Sequence, residues 1–253
     1  MSLSGGVQRV FFQVLLASEG RMVSTEALVD ELWGESPPGG VVNALHAQVS
    51  RLRKRLGVLE PWRETSRLTK NANGYQLVMA EEELDAALFV RSVRTAQTMV
   101  YSDPAAASET LRAALLMWQG PVFGGGSGGI LCQAAARRYE EYRIGALEAY
   151  FESRLALGNH VEILGELSET HAENPLRERF CEQLMIALYR AGRQAEALQT
   201  YRWMRSRLTR ELGIEPSPVL RRTEQAILRH DAQALAGRCH GPLSPEVRHR
   251  HAS

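Results

Sequence analysis

Between Val41 and Leu56 an amide, a hydroxyl and a guanidinium recur on one side of a helical pattern: Asn43, Ala47, Ser50 and Arg51, with Lys54 beside them. At about 100° per residue, Val41, Leu45, Val49, Leu52 and Leu56 form the opposite, apolar stripe. Groups of this kind recognise rather than transform. They hydrogen-bond base edges, and arginine to guanine is the commonest specific pairing. No Asp or Glu occurs between Glu35 and Glu60, so a phosphate approaching this face meets Arg51, Arg53, Lys54 and Arg55 without a repelling carboxylate. This is the build of a DNA-recognition helix, with Asn43, Ala47, Ser50 and Arg51 suited to base edges and Lys54 and Arg55 to phosphates. His46 and Arg53 flank the face and fit either role. A merely solvated basic helix has the same composition, and the helix alone leaves both readings open.

The elements ahead of this helix decide between them. Val7, Val10, Phe11, Val14 and Leu15 recur at helical spacing and predict a first helix stopping at Gly20. Ser24 is placed as an N-cap, Glu26 adds a favourable charge in the first turn, and Leu28, Val29, Leu32 and Trp33 supply the apolar stripe of a second helix closed by Gly34. Pro37-Pro38-Gly39-Gly40 then forces a turn before the basic helix. Three helices with a tight turn before the third is helix-turn-helix order.

After Gly57 the period changes. Ser66–Lys70 and Gly74–Val78 predict two short strands around Asn71-Ala72-Asn73. Taken alone, such a hairpin is as well an ordinary surface hairpin; joined to the three helices before it, it reads as a wing that would carry Arg67, Lys70 and Asn71 to the phosphate backbone or minor groove while the helix occupies the major groove.

From about Glu81 to Asp231 the chain reads as helix throughout. Phe89, Val93, Ala96 and Val100 mark one helix; Asp103-Pro104 starts another through Leu111, Leu115 and Trp118; Leu147, Tyr150, Phe151 and Leu155 belong to a longer third. Asn174-Pro175 and Ser217-Pro218 each pair a capping side chain with a proline suited to the first helical position. Gly158, Glu162, Leu164 and Leu167 recur 34 residues later as Gly192, Glu196, Leu198 and Tyr201. Thirty-four is the tetratricopeptide period, in which stacked helical hairpins bury faces that one hairpin cannot bury alone. Gly124–Gly129 interrupts the pattern around Ser127; Ile130 and Leu131 follow it where a phosphate loop needs Lys and Ser or Thr, so it reads as a flexible linker. The end, Gly237–Ser253, is poor in apolar residues and reads as disordered.

The bulk composition narrows the function class. Net charge over 253 residues is only +1, so a nucleic-acid function must rest on a local patch. Residues 1–79 hold nine Lys or Arg against seven Asp or Glu, an excess the remainder does not share. Cys132, Cys181 and Cys239 are odd in number and widely spaced, which suits neither a disulfide framework nor a metal knuckle and points to a reducing cytoplasm. No apolar run is long enough for a membrane span, and no signal core follows the N-terminus. An enzyme is disfavoured, because no nucleophile elbow, H-E-x-x-H or phosphate loop is present and the runs Glu81-Glu82-Glu83 and Glu140-Glu141 suit solvated surface. Neither a cofactor nor a metal is expected.

The stretches ALVDELWGESPP, VVNALHAQVSRLRKRLG and NGYQLV resemble the OmpR-type winged helix of the Streptomyces antibiotic regulatory proteins. LALGNHVEILGEL, NPLRERFCEQLMIALYRAGRQAEALQTYRWMRSRL and ELGIEPSPVLRRTEQAIL resemble their bacterial transcriptional activation domain, and the likeness covers about residues 3–230 in the family's order. The resemblance implies a mainly α protein: a winged helix-turn-helix domain with a short β-hairpin wing over 1–79, an all-α tetratricopeptide-like domain over 80–231 and a disordered tail over 232–253. It further implies an activator that binds direct repeats in double-stranded promoter DNA as adjacent, self-associating protomers and helps RNA polymerase holoenzyme engage. Members also carry a small N-terminal sheet, for which only Ser2-Leu3-Ser4-Gly5-Gly6 stands here, so a shortened N-terminus is expected. That leaves an alternative open, a tetratricopeptide adaptor with a degenerate DNA-binding domain.

Overall fold

The computed structural model describes residues 5–126 and 128–236, so Ser2–Ser4, Ser127, Cys239 and the stretch expected to be disordered from Gly237 onward lie outside the described residues. Two compact units share these residues, one from 5–93, 113–126 and 128–145, the other from 94–112 and 146–236. The first therefore extends past Met79, where the activation domain is expected to begin.

In the first unit α1 (Gly6–Ala17), α2 (Thr25–Trp33) and α3 (Val41–Leu59) enclose a core of Phe11, Val14, Leu15, Leu28, Leu45, Val49 and Leu52. Ser24 caps α2 as expected, its hydroxyl accepting from the Ala27 N–H at 3.1 Å, and Gly34 ends it at φ 56°. Two boundaries differ from the pattern. The first helix closes at Ala17 rather than Gly20, because Glu19 (φ 50°) and Gly20 (φ 76°) share the left-handed turn. The basic helix runs on through Gly57 to Leu59, since an isolated glycine lowers helix propensity by only about 1 kcal/mol and nothing else there breaks it.

The hairpin is present as β2 (Leu68–Asn71) and β3 (Gly74–Leu77), slightly shorter than expected, with Asn71 ending the strand instead of entering the turn. A third strand, β1 (Val23–Ser24), joins them, too short to leave a period in the sequence. It pairs antiparallel with β3, Val23 opposite Tyr75 and Ser24 opposite Gly74, giving the order β1-β3-β2. Gly74 makes this possible: a Cβ there would lie 2.1 Å from the Val23 carbonyl oxygen, so any side chain would push β1 off the sheet. Leu68, Tyr75 and Leu77 face inward and join the helical core.

Beyond the sheet come a short 3-10 turn (Glu81–Glu83), α4 (Asp85–Met99), α5 (Pro104–Leu116) and α6 (Ile130–Ala156). Phe89, Val93, Ala96 and Val100 are all buried, as their spacing predicts. The glycine run is not a free linker. A Cβ on Gly129 would strike the Glu31 carboxylate at 2.7 Å and one on Gly128 the Cys132 side chain at 2.3 Å. That close approach lets Glu31 of α2 accept from the Leu131 N–H at 2.5 Å, so a winged-helix carboxylate caps the first turn of α6.

The second unit stacks α7 (His160–Glu173), α8 (Glu178–Arg190), α9 (Gln194–Leu212) and α10 (Pro218–Leu228) with the end of α6. The 34-residue period appears in the backbone: Gly158 (φ 80°) and Gly192 (φ 76°) make matching turns, and α7 and α9 open at His160 and Gln194. Leu167 and its counterpart Tyr201 are both buried. Ser217 caps α10, accepting from Leu220 N–H at 3.3 Å with Pro218 at the first helical position. Asn174-Pro175 behaves otherwise: α8 starts only at Glu178, and Asn174 closes α7 instead, donating through Nδ2 to the Thr170 carbonyl at 2.9 Å. Within the stretch expected as a tail, Ala232–Ala236 forms a further turn of helix (α11), fixed by the buried Leu235.

Candidate nucleic-acid interface

The amphipathic plan of α3 fixes which side chains face outward. Leu45, Val49 and Leu52 are buried against α1 and the sheet, so the opposite face is left to Asn43, His46, Ser50, Arg51 and Lys54, all exposed, with Ala47 half-buried among them. None of the side chains of Asn43, His46, Ser50, Arg51 and Lys54 makes a hydrogen bond or ion pair among the described residues. The face therefore brings together the four base-edge candidates and Lys54 as expected, with two cations uncompensated. Gly40 (φ 74°) turns the chain into the helix, which leaves Val42 52% exposed beside Asn43. Sequence reasoning missed Val42. Its apolar side chain adjoining a polar face was the available signal, and a thymine methyl is the base group it suits.

The two flanking arginines are less free. Arg53 is half-buried and donates through Nε to the Leu68 carbonyl at 3.0 Å, tying α3 to β2. Arg55 is half-buried and engaged with other groups of the protein. On the hairpin, Lys70 is exposed, and Asn71 is exposed with its Nδ2 3.6 Å from the Met22 sulfur.

Arg67 departs from expectation. Its side chain is only 14% exposed, and its Nε bonds Glu60 at 2.7 Å while its Nη atoms bond Glu83 at 2.5 Å and approach the Val78 carbonyl at 3.3 Å. With four of its five N–H donors committed and its charge matched by two carboxylates, the guanidinium is poorly placed to meet a phosphate, so Arg67 is a brace between the end of α3, the start of the wing and the 3-10 turn. The electrostatics agree from both sides: Arg67 holds the Glu83 carboxyl down to about 2 and lowers that of Glu60, while the two carboxylates raise Arg67 further. The signal was in the sequence, because Glu60 ends the acid-free stretch and Glu81-Glu82-Glu83 follows the second strand closely.

Comparison with known proteins fits this geometry. Residues 9–77 match the family described as "Transcriptional regulatory protein, C terminal" and residues 84–228 that described as "Bacterial transcriptional activator domain". The chain is 39% identical over 230 residues to the transcriptional regulator RedD of Streptomyces coelicolor, covering 90% of this chain and 66% of RedD. Its identity to the regulatory protein DnrI of Streptomyces peucetius is 34% over 228 residues, covering 88% of this chain and 84% of DnrI. The regulatory protein AfsR of Streptomyces coelicolor is 40% identical, but the chain spans only 22% of it. A solved structure of Mycobacterium tuberculosis EmbR in complex with a low affinity phosphopeptide superposes with a TM-score of 0.84 at 30% identity, covering 94% of this chain and 64% of that one. No described helix is long and apolar enough to cross a membrane. The two modules in this order, and the relatives that share them, place the chain in the Streptomyces antibiotic regulatory protein family of transcriptional regulators, an OmpR-type winged helix followed by a bacterial transcriptional activator domain.

Proposed function

We propose that this chain is a cytoplasmic, pathway-specific activator of secondary-metabolite genes that reads direct repeats in promoter DNA. Residues 1–79 act as the DNA-binding half and residues 80–231 as the activation half. The helix α3 enters the major groove with Asn43, Ala47, Ser50 and Arg51 toward base edges and Lys54 toward a phosphate, while Lys70 and Asn71 at the wing meet the backbone or minor groove. The observation that carries this reading is the outward face of α3, where Arg51 and Lys54 are exposed and uncompensated. An exposed arginine beside an amide and a hydroxyl, on a helix clamped from behind, is what direct readout of a duplex requires. Protomers side by side on tandem sites and contact with RNA polymerase holoenzyme fit the helical repeats of the second unit, since stacked helical hairpins commonly bind proteins.

The test is fluorescence anisotropy of the full chain with promoter fragments at two salt concentrations. Salt-sensitive binding is expected, and Arg51→Ala should cost about 1–3 kcal/mol and flatten preference at one base position. Wild-type affinity and preference in that variant would remove α3 from the groove. Loss of all salt-sensitive binding by a folded wild-type chain would favour a protein adaptor instead.

A further inference from the structure

Within the first unit, Leu16, Asp85, Phe89, Trp118, Phe123 and Tyr139 line a cleft of about 660 Å³. Small-molecule sites fall at roughly 300–1,000 Å³, so the space suits a compact organic ligand. Four aromatic rings, those of Phe89, Trp118, Phe123 and Tyr139, stand in a wall that is otherwise mostly aliphatic. The Phe89 and Trp118 rings lie 5.5 Å apart at 58°, a tilted pair rather than a parallel stack, with Phe89 buried and Trp118 half-buried. Phe123 sits in the left-handed region (φ 55°, ψ 23°), a conformation that bulky residues seldom adopt, and the buried Gln13 holds it there by donating to its carbonyl at 3.0 Å. Tyr139 has its hydroxyl committed to Glu19 at 2.5 Å, so only its ring is offered to the cleft.

The charge lining this cleft is of one sign. Asp85, exposed at the start of α4, is its single ionisable carboxylate, one oxygen accepting the Ala86 N–H at 2.7 Å, and no Lys or Arg lines the space. Two arginines stack on lining rings, each matched by a carboxylate: Arg143 lies 5.5 Å from the Trp118 ring centroid and pairs with Glu140 at 3.0 Å, and Arg138 lies 5.0 Å from the Tyr139 ring centroid and pairs with Glu19. Aromatic faces attract cations through their quadrupole, and a carboxylate at the rim adds to the same preference. We propose that this cleft binds a flat aromatic molecule carrying a cationic nitrogen, with its rings against Phe89, Trp118 and Phe123 and its nitrogen beside Asp85. Leu16 and the Gln13 anchor both belong to α1, so the occupied site bears on a helix of the DNA-binding core.

The experiment is calorimetric titration of the full chain, without DNA, with 9-aminoacridine and with acridine in mildly alkaline buffer, where only the first is cationic. One 9-aminoacridine per chain should bind about tenfold more tightly than acridine, as one well-placed charge interaction allows. Asp85→Asn should abolish that preference and leave acridine binding unchanged, while Phe123→Leu, which keeps an apolar side chain and so spares the fold, should weaken both. The proposal is overturned if neither compound binds, if the two bind equally, if the preference survives in Asp85→Asn, or if Phe123→Leu binds both as wild type does.

Discussion

Arg51 and Arg67 carry the same guanidinium within one helix-and-wing unit, yet their surroundings assign them different work. Arg51 stands on an acid-free face, exposed; Arg67 lies between Glu60 and Glu83. The contrast yields tests that do not depend on a structure of the complex. Lys70→Ala should weaken binding to every DNA sequence alike and reduce the slope of log affinity against log salt by about one, because a phosphate contact positions without specifying. If Arg67 were a phosphate ligand, Glu83→Gln would release it and tighten binding; as a brace, Glu83→Gln leaves affinity no higher. The same residue sets an acid dependence. With its carboxyl lowered from 4.5 to about 2, Glu83 favours the folded state above the ordinary value, and that contribution is lost as pH falls from about 4.5 toward 2. Melting temperatures across that window should therefore fall less steeply for Glu83→Gln than for wild type, and parallel curves would remove Glu83 from the brace.

At the scale of elements, α3 is both the proposed reading head and the longest helix of the DNA-binding domain, and its last turn contains an exposed glycine. A Cβ on Gly57 would meet nothing within 4 Å, and the backbone there is helical. Gly57→Ala should raise stability in urea unfolding by about 0.5–1 kcal/mol without changing base preference. A destabilised variant would mean that the helix ends before Gly57, as the sequence pattern alone suggests. The elements legible in advance were those with a long period: α2 with its Ser24 cap, the apolar stripe of α3, the 34-residue repeat and the Ser217-Pro218 start of α10. Two residues of β1 carry no period at all. Asn174-Pro175 shows the same limit from another side, since an Asn-Pro pair that suits a helix start is equally suited to closing the helix before it, and packing chose the latter.

For the whole molecule, burial separates inert groups from those available to partners. Cys132 and Cys181 are 2% and 0% exposed; burial pushes the Cys132 thiol up to about 12 and raises that of Cys181 too. Neither should react with iodoacetamide in the native protein, and both should label fully in denaturant, because the thiolate is the nucleophile. Native labelling at either position would show that its unit opens. A buried polar network in the second unit has the same character: Arg179 bridges Glu152 and Glu182 at 2.6 Å each, and Thr223 donates to Glu182 at 3.1 Å. Burial raises the Glu152 carboxyl despite that arginine. Such a network costs desolvation and, once formed, admits few alternative packings of α6, α8 and α10.

What the sequence alone determined was the kind of object: amphipathic period, caps and turn residues act within a few neighbours, so a three-helix unit with a wing and a repeating helical half could be read directly from residue order. What only the tertiary structure decided was where separated residues meet. Glu31 capping the first turn of α6, Gly74 admitting β1, Arg67 taken by Glu60 and Glu83, and the aromatic cleft around Phe123 all depend on chain segments that the fold alone brings within a few ångströms. Hydrogen bonds and ion pairs act only at such distances, and separation along the chain carries no record of them.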